Sequence, residues 1–251
     1  MGGGGAEVAD RTIPGGRLIG KLSSEEELAG QFTDRDHYAR YVSELPLFSP
    51  WQDPSTVCDG LDDVELLSLN DRPRLYYLAA FARHAAALGG PIAELGVFRG
   101  GTALLLARVT RPAGSPLHLF DSFDGLSEPH AERDIFYRRG DFRFPDADAV
   151  AGILAEAGPR VSIYKGWIPE VLAQAPECRW AMVHVDVDLY EPTAAACEYF
   201  YGLMMPGAVM VFDEYGFPSC RGERAAVDEF FATRPEAPIV LPTGQAFVIK
   251  A

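Results

Sequence analysis

The chain predicts an open, doubly wound α/β fold around a mostly parallel, seven-stranded sheet with an antiparallel C-terminal edge. Three observations carry that expectation. Apolar runs at Ile92-Ala93-Glu94-Leu95, Leu117-His118-Leu119-Phe120, Val183-His184-Val185 and Val209-Met210-Val211-Phe212 read as strands buried on both faces. Helical stretches alternate with those strands, the pattern that builds a parallel sheet. Acids gather where the strands stop, with Asp186 and Asp188 after one and Asp213-Glu214 after another, at the rim where an open α/β sheet collects its ligands.

Taken in order, the chain begins with an irregular segment to about Asp59. Ser23 and Glu26 have capping-box spacing, and Tyr38 to Trp51 mixes aromatics with Pro46 and Pro50, as a lid or an interface arm does. A helix starts near Pro73 and ends at Gly89-Gly90, the Pro-first, Gly-last asymmetry of a helix. Strands near Ile92, Leu117, Val161, Trp180 and Ala208 then alternate with helical stretches near Thr102, Asp146, Pro169 and Pro192. An amphipathic helix from Glu223 to Ala232 precedes a hairpin, Ile239 to Leu241 and Ala246 to Ile249, that turns at Thr243-Gly244.

Asp186, Asp188, Asp213 and Glu214 converge at one rim in this fold, and like charges raise one another's pKa unless a cation or a proton joins them. A divalent metal is the economical reading. Oxygen ligands favour Mg²⁺, with Ca²⁺ or Mn²⁺ as alternatives, and an acid left over can act as a general base. The competing reading makes these acids caps of the helices that follow.

A glycine-rich turn, Gly96-Val97-Phe98-Arg99-Gly100-Gly101, joins the strand at Ile92 to a helix at Thr102 and lets backbone approach a nucleotide-type ligand. Phe98 stands where a dinucleotide fingerprint has its middle glycine, and no Lys-Ser or Lys-Thr pair follows as in a phosphate-binding loop. Glu94 inside the strand needs a cationic ligand or loop amides to offset its burial. Asp121 ends the next strand, where an acid accepts both hydroxyls of a ribose or simply forms the turn with Ser122 and Gly125; Asp124 has the same two readings. Trp167, after Gly166, lies beside an adenine or packs at a helix start.

The long connection from Ser122 to Pro145 has no clear period and carries Phe136, Tyr137, Phe142 and Phe144, which suit a substrate lid or a mobile surface loop. His184 and His118 alternate with apolar residues and read as satisfied core histidines, while His37, His84 and His130 lack metal spacing. Ser219-Cys220 is not a nucleophile elbow.

Composition narrows the class. With 251 residues, 48% of them hydrophobic, the chain can bury the core of one α/β domain with an N-terminal extension. A net charge of −14 and no basic block argue against nucleic acid. No apolar run approaches the roughly 18 residues of a membrane span, and no basic-then-apolar leader opens the chain, so a cytoplasmic protein is expected. Met1-Gly2-Gly3-Gly4-Gly5-Ala6 lacks the Ser or Thr of a myristoylation start. Cys58, Cys178, Cys197 and Cys220 are scattered and read as reduced thiols.

The motifs Glu94-Leu95-Gly96-Val97-Phe98-Arg99-Gly100-Gly101, Asp121-Ser122-Phe123-Asp124-Gly125-Leu126, Gly166-Trp167-Ile168, Asp186-Val187-Asp188-Leu189-Tyr190 and Asp213-Glu214-Tyr215 together resemble the macrocin O-methyltransferase (TylF/MycF) family. The resemblance runs from about Leu69 to Ala251, which divides the chain into an extension, 1–68, and a methyltransferase domain, 69–251. It implies the Rossmann-like class I fold that binds S-adenosylmethionine, and metal-dependent methylation of sugar hydroxyls in natural-product (antibiotic) biosynthesis. It implies Asp186, Asp213 and Glu214 as metal ligands and Asp188 as base. Glu94, Gly96, Arg99, Gly101, Thr102, Asp121, Ser122, Gly166, Trp167 and Asp186 would then face the cofactor. The family usually has Asp-Asp where this chain has Asp213-Glu214, and the longer side chain moves that carboxylate. The expected partners are a glycosylated or sugar small molecule and further copies of the chain, as a dimer or higher. A catechol-type O-methyltransferase, an NAD-dependent oxidoreductase and a non-catalytic cofactor-binding protein are the rival expectations.

Overall fold

The structure, a computed structural model, describes residues 49–144, 146–155, 157 and 160–251. The Ser23–Glu26 capping box and the aromatic arm before Ser49 lie outside the described residues. Two short helices, α1 (Pro54–Val57) and α2 (Leu61–Leu67), precede α3 (Arg72–Leu88). Asp71 caps α3 by accepting from the Arg74 amide at 2.9 Å, Pro73 sits in its first turn, and Gly89 closes it. Val57, Leu61 and Val64 are buried, so residues from Pro50 onward share one compact unit with the rest of the fold.

Among the described residues the strands are β1 (Ile92–Leu95), β2 (Leu117–Asp121), β3 (Val161–Lys165), β4 (Trp180–Val185), β5 (Met204–Phe212), β6 (Ile239–Val240) and β7 (Ala246–Ile249). Their order is β3-β2-β1-β4-β5-β7-β6. β1 pairs in parallel with β2 and β4, and β7 pairs antiparallel with β5 and β6. The doubly wound sheet with its antiparallel C-terminal edge is the fold the sequence predicts.

Helices α4 (Gly101–Thr110) and α5 (Ala147–Ala155) join α2 and α3 on one face, over Ile92, Leu117, Leu119 and Val211. Helices α6 (Tyr190–Phe200) and α7 (Arg221–Phe231) cover the other face, over Ala93, Leu95, Phe120, Val183 and Phe212. Successive strand residues point to opposite faces and both faces are covered, which is why the strands read as apolar throughout. Near Pro169 the expected helix is only a 3-10 turn, Glu170–Gln174, because Ala175 precedes Pro176 and adopts an extended conformation. No described helix is long and apolar enough to cross a membrane.

Candidate active site

Strand order sets the site. The carboxyl ends of β3, β2, β1, β4 and β5 lie side by side, and the residues just beyond them line one cavity of about 310 Å³. The wall runs from Gly166 and Trp167 past Asp121, Ser122 and Gly96 to Asp186, Asp188 and Glu214. Gly101 and Thr102, at the amino end of α4, also line it.

The glycines serve the chain before any ligand. Gly96 has φ +87°, and a Cβ there would fall 1.7 Å from the Asp186 carbonyl oxygen. A Cβ on Gly101 would fall 2.5 Å from the Ser68 nitrogen. Close packing of the β1 turn against the β4 end, and of the 67–70 segment against α4, therefore requires glycine at both places.

Asp121 braces the turns around it. Its Oδ2 accepts from the amides of Val97 and Phe98 at 2.6 and 3.0 Å, and its Oδ1 accepts from the Phe123 amide at 2.6 Å. It thus holds two turns while standing on the cavity wall. Ser122 donates its hydroxyl to the Gly125 carbonyl at 2.9 Å. Trp167 carries the Arg139 guanidinium 5.9 Å from its ring centroid.

Two residues expected beside a cofactor lie elsewhere. Glu94 is fully buried inside the sheet, where its carboxylate meets His184 on the neighbouring strand at 3.0 Å. Arg99 stacks over Phe98 and Phe144, 4.9 and 5.9 Å from their ring centroids, outside the cavity wall.

The acids split into wall and interior. Asp213 is fully buried, with Oδ2 2.8 Å from Arg74 Nη1 and Oδ1 2.6 Å from Gln245 Nε2. Burial works against its charge, but His184 and Arg74 outweigh it and hold the Asp213 carboxyl below the usual range. Glu214 Oε1 shares Arg74 Nη1 at 2.9 Å, while Oε2 is buried without a hydrogen-bond partner. Burial and the neighbouring acids push Asp186 and Glu214 up, as they do Glu223, whose Oε1 accepts from the Glu214 amide at 3.1 Å. Oxygens of Asp186 and Asp213 and a nitrogen of His184 lie within 4.8 Å of one another. The carboxylates of Asp186, Asp213 and Glu214, the orphaned buried oxygen of Glu214, and the burial and mutual repulsion that raise Asp186 and Glu214 fit a hard divalent cation, with His184 bonded to Glu94 and Asp213 instead.

Asp188 adopts a left-handed conformation, φ +62°, which Asp tolerates better than most side chains. Its Oδ1 accepts from the Cys220 thiol at 3.4 Å. Burial and the charge of Asp213 push its carboxyl up to about 6, against the pull of Cys220 and Arg74. The long connection supplies Tyr137 and Phe142 to the wall, whereas Phe136 is exposed and Phe144 packs toward the core. Arg74, Gln245 and Glu223 were not legible as site residues, because their partners lie far away in sequence; Glu223 left one trace, an acid on the face that α7 buries with Ala226 and Val227.

The fold and this rim of acids beside a glycine turn define a small-molecule-binding α/β protein of the doubly wound class. The chain belongs to the macrocin-O-methyltransferase (TylF) family, whose model matches residues 68–239. It is 29% identical over 146 residues to the 8-demethyl-8-(2,3-dimethoxy-alpha-L-rhamnosyl)-tetracenomycin-C 4'-O-methyltransferase of Streptomyces olivaceus, covering 53% of this chain and 55% of that one. It is 25% identical over 149 residues to the mycinamicin III 3''-O-methyltransferase of Micromonospora griseorubida, covering 53% and 58%. The chain thus spans little more than half the length of these relatives. Among solved structures, the O-methyltransferase NovP superposes with a TM-score of 0.66 at 22% identity over 74% of this chain and 82% of that one. The calicheamicin methyltransferase CalS11 does so with 0.65 at 19% identity over 98% and 99%. At these identities the likeness is one of fold, that of class I methyltransferases.

Proposed function

We propose that the chain is an S-adenosylmethionine-dependent O-methyltransferase that methylates one hydroxyl of a vicinal diol on a sugar, within antibiotic biosynthesis. In this reading it uses Mg²⁺, or Ca²⁺ or Mn²⁺ in its place, and works as a homo-oligomer in the cytoplasm. The observation that carries the reading is one cavity lined by Trp167, Asp121 and Gly96 and also by Asp186, Asp188 and Glu214. Trp167 and Asp121 on one side and the acids on the other face one space. The tetracenomycin relative is named for a rhamnosyl substrate, and a CalS11 structure for TDP-rhamnose, which supports a sugar acceptor.

Trp167 takes the adenine face, Asp121 and Ser122 the ribose, and Gly96, Gly101 and Thr102 let backbone approach the rest of the cofactor. That cofactor supplies a methyl group already activated as a sulfonium. Asp186, Asp213 and Glu214 would hold the cation, which supplies charge that orients two neighbouring hydroxyls and raises their acidity. Asp188 takes the proton of the attacking hydroxyl, and with its carboxyl at about 6 it is ionised at neutral pH. The remaining task of the wall is alignment: acceptor oxygen, methyl carbon and sulfur must fall in line.

Calorimetric titration with S-adenosylmethionine and with NAD, followed by turnover assays on nucleotide sugars and glycosylated natural products, tests the reading. Binding of the first and its conversion to the demethylated product are expected. Binding of NAD alone would replace the reading with an oxidoreductase.

A further inference from the structure

One guanidinium nitrogen, Arg74 Nη1, donates to Asp213 Oδ2 at 2.8 Å and to Glu214 Oε1 at 2.9 Å, so a single positive group bridges two of the acids assigned to the cation. The bridge is built into the fold. Arg74 stands in the first turn of α3, where its amide donates to the Asp71 cap, and it is 8% exposed. Its Nη2 donates to the Leu69 carbonyl at 3.4 Å, and its guanidinium lies 5.0 Å from the Phe217 ring centroid. Nε is buried without a hydrogen-bond partner, so the side chain holds the two acids while one of its own donors stays unpaired.

Asp213 has little left to offer a second cation. Its Oδ1 accepts from Gln245 Nε2 at 2.6 Å and lies 3.4 Å from His184 Nε2, which accounts for both lone pairs of that oxygen, and Arg74 takes one of the two on Oδ2. A divalent ion reaches Asp213 only by sharing Oδ2 with the guanidinium or by taking its place. Both routes oppose binding. Sharing sets like charges on one oxygen in a buried site, where they repel more strongly than in water, and displacement breaks two charge-assisted bonds. Arg74 also lines the cavity, so its side chain has space to swing into when the acids change partner.

Given the cation site proposed above, we infer that Arg74 is a resident counter-charge that competes with the divalent ion for Asp213 and Glu214, which makes metal binding an exchange of cations. Mn²⁺ alone, titrated into the full chain and followed by the paramagnetic resonance of the free ion, tests this. Arg74→Met keeps the apolar stem without the charge and should bind Mn²⁺ about tenfold more tightly than wild type, or better, because the like charge beside the ion is gone. Arg74→Lys keeps a positive charge and should stay within about threefold of wild type. Mn²⁺ should also raise the thermal midpoint of Arg74→Met by more than that of wild type, since the tighter ligand stabilises more. Should Arg74→Met not fold by itself, Mn²⁺ should refold it by restoring the missing counter-charge, and a chain that stays unfolded in saturating Mn²⁺ would overturn the inference. Unchanged or weaker binding by folded Arg74→Met would overturn it as well, the weaker case marking Arg74 as a clamp that presents the acids to the metal. Equal tightening in Arg74→Lys would do the same, by tracing the effect to side-chain shape. If wild type takes no Mn²⁺ and Arg74→Met does, the counter-charge stands and the metal reading of the natural chain falls; if neither takes it, both fall.

Discussion

Glu94 Oε1 lies 3.0 Å from His184 Nδ1, and the two residues face each other directly across the β1–β4 register. Both are fully buried, and His184 Nε2 in turn approaches Asp213 Oδ1 at 3.4 Å. Burial opposes a charged imidazole, but the two carboxylates outweigh it and push His184 up to about 10. Glu94 therefore braces Asp213 from inside the sheet. Glu94→Ala removes one of the two carboxylates that offset the buried His184 charge and should cost about 3 kcal/mol, the low end for breaking a buried pair because Asp213 remains, read as a lowered urea midpoint with unchanged slope. A large loss of cofactor affinity at unchanged stability would instead return Glu94 to the cofactor.

That pair shows what a sequence conceals. Glu94 reads as an acid in need of a partner and His184 as a core histidine with one, yet nothing in their spacing joins them. Strand register does. The sheet, its crossovers and the acids at its rim were legible because periodicity and turn residues are local signals. The glycine turn was legible too, but its cause was not: Gly96 yields to the Asp186 carbonyl, a contact set by the neighbouring strand. Arg74, Gln245 and Glu223 enter the acid cluster only through tertiary packing.

Asp121 holds two turns through three amides and, in the proposed reading, the ribose as well. Asp121→Ala should weaken S-adenosylmethionine by tenfold or more, on the order of 1–3 kcal/mol per charge-assisted bond. The thermal midpoint should fall with it, since the amides of Val97 and Phe98 lose their acceptor. Calorimetry that finds affinity intact while the midpoint drops would leave Asp121 a turn residue only.

Cofactor and cation are assigned to different halves of the cavity, so they should respond separately. EDTA should abolish methyl transfer and leave S-adenosylhomocysteine affinity within about twofold, and added Mg²⁺ should restore turnover. Full activity in excess chelator would defeat the metal assignment.

Away from the site, Glu236 is 8% exposed and lies 2.7 Å from Lys250 Nζ and 2.7 Å from the Tyr201 hydroxyl. Burial alone raises its carboxyl, but Lys250, Tyr201 and the Ala251 amide outweigh it and bring it down to about 2. A depressed folded-state value stabilises the protein above the ordinary carboxylate range, and that contribution is lost as pH falls toward 2. Glu236→Gln should be less stable than wild type by about 2 kcal/mol at neutral pH, with the gap closing near the acid end in urea melts run across pH. A gap independent of pH would mean that packing, not charge, is what Glu236 contributes.

Asp186 and Asp188 are two residues apart, yet the proposed chemistry gives them different tasks. Asp188→Asn keeps the shape of the side chain and an oxygen for the Cys220 thiol, which now donates to Oδ1 at 3.4 Å, but an amide cannot take the hydroxyl proton. Turnover should fall by about 10²–10⁴, the usual contribution of a positioned base, with the metal requirement unchanged. Asp186→Asn removes a charge from the cation's own ligands, so the Mg²⁺ concentration for half-maximal activity should rise and saturating metal should recover much of the rate. The two titrations of rate against metal decide the matter. If Asp188→Asn shifts the metal requirement and Asp186→Asn does not, the base and the ligand have been assigned the wrong way round.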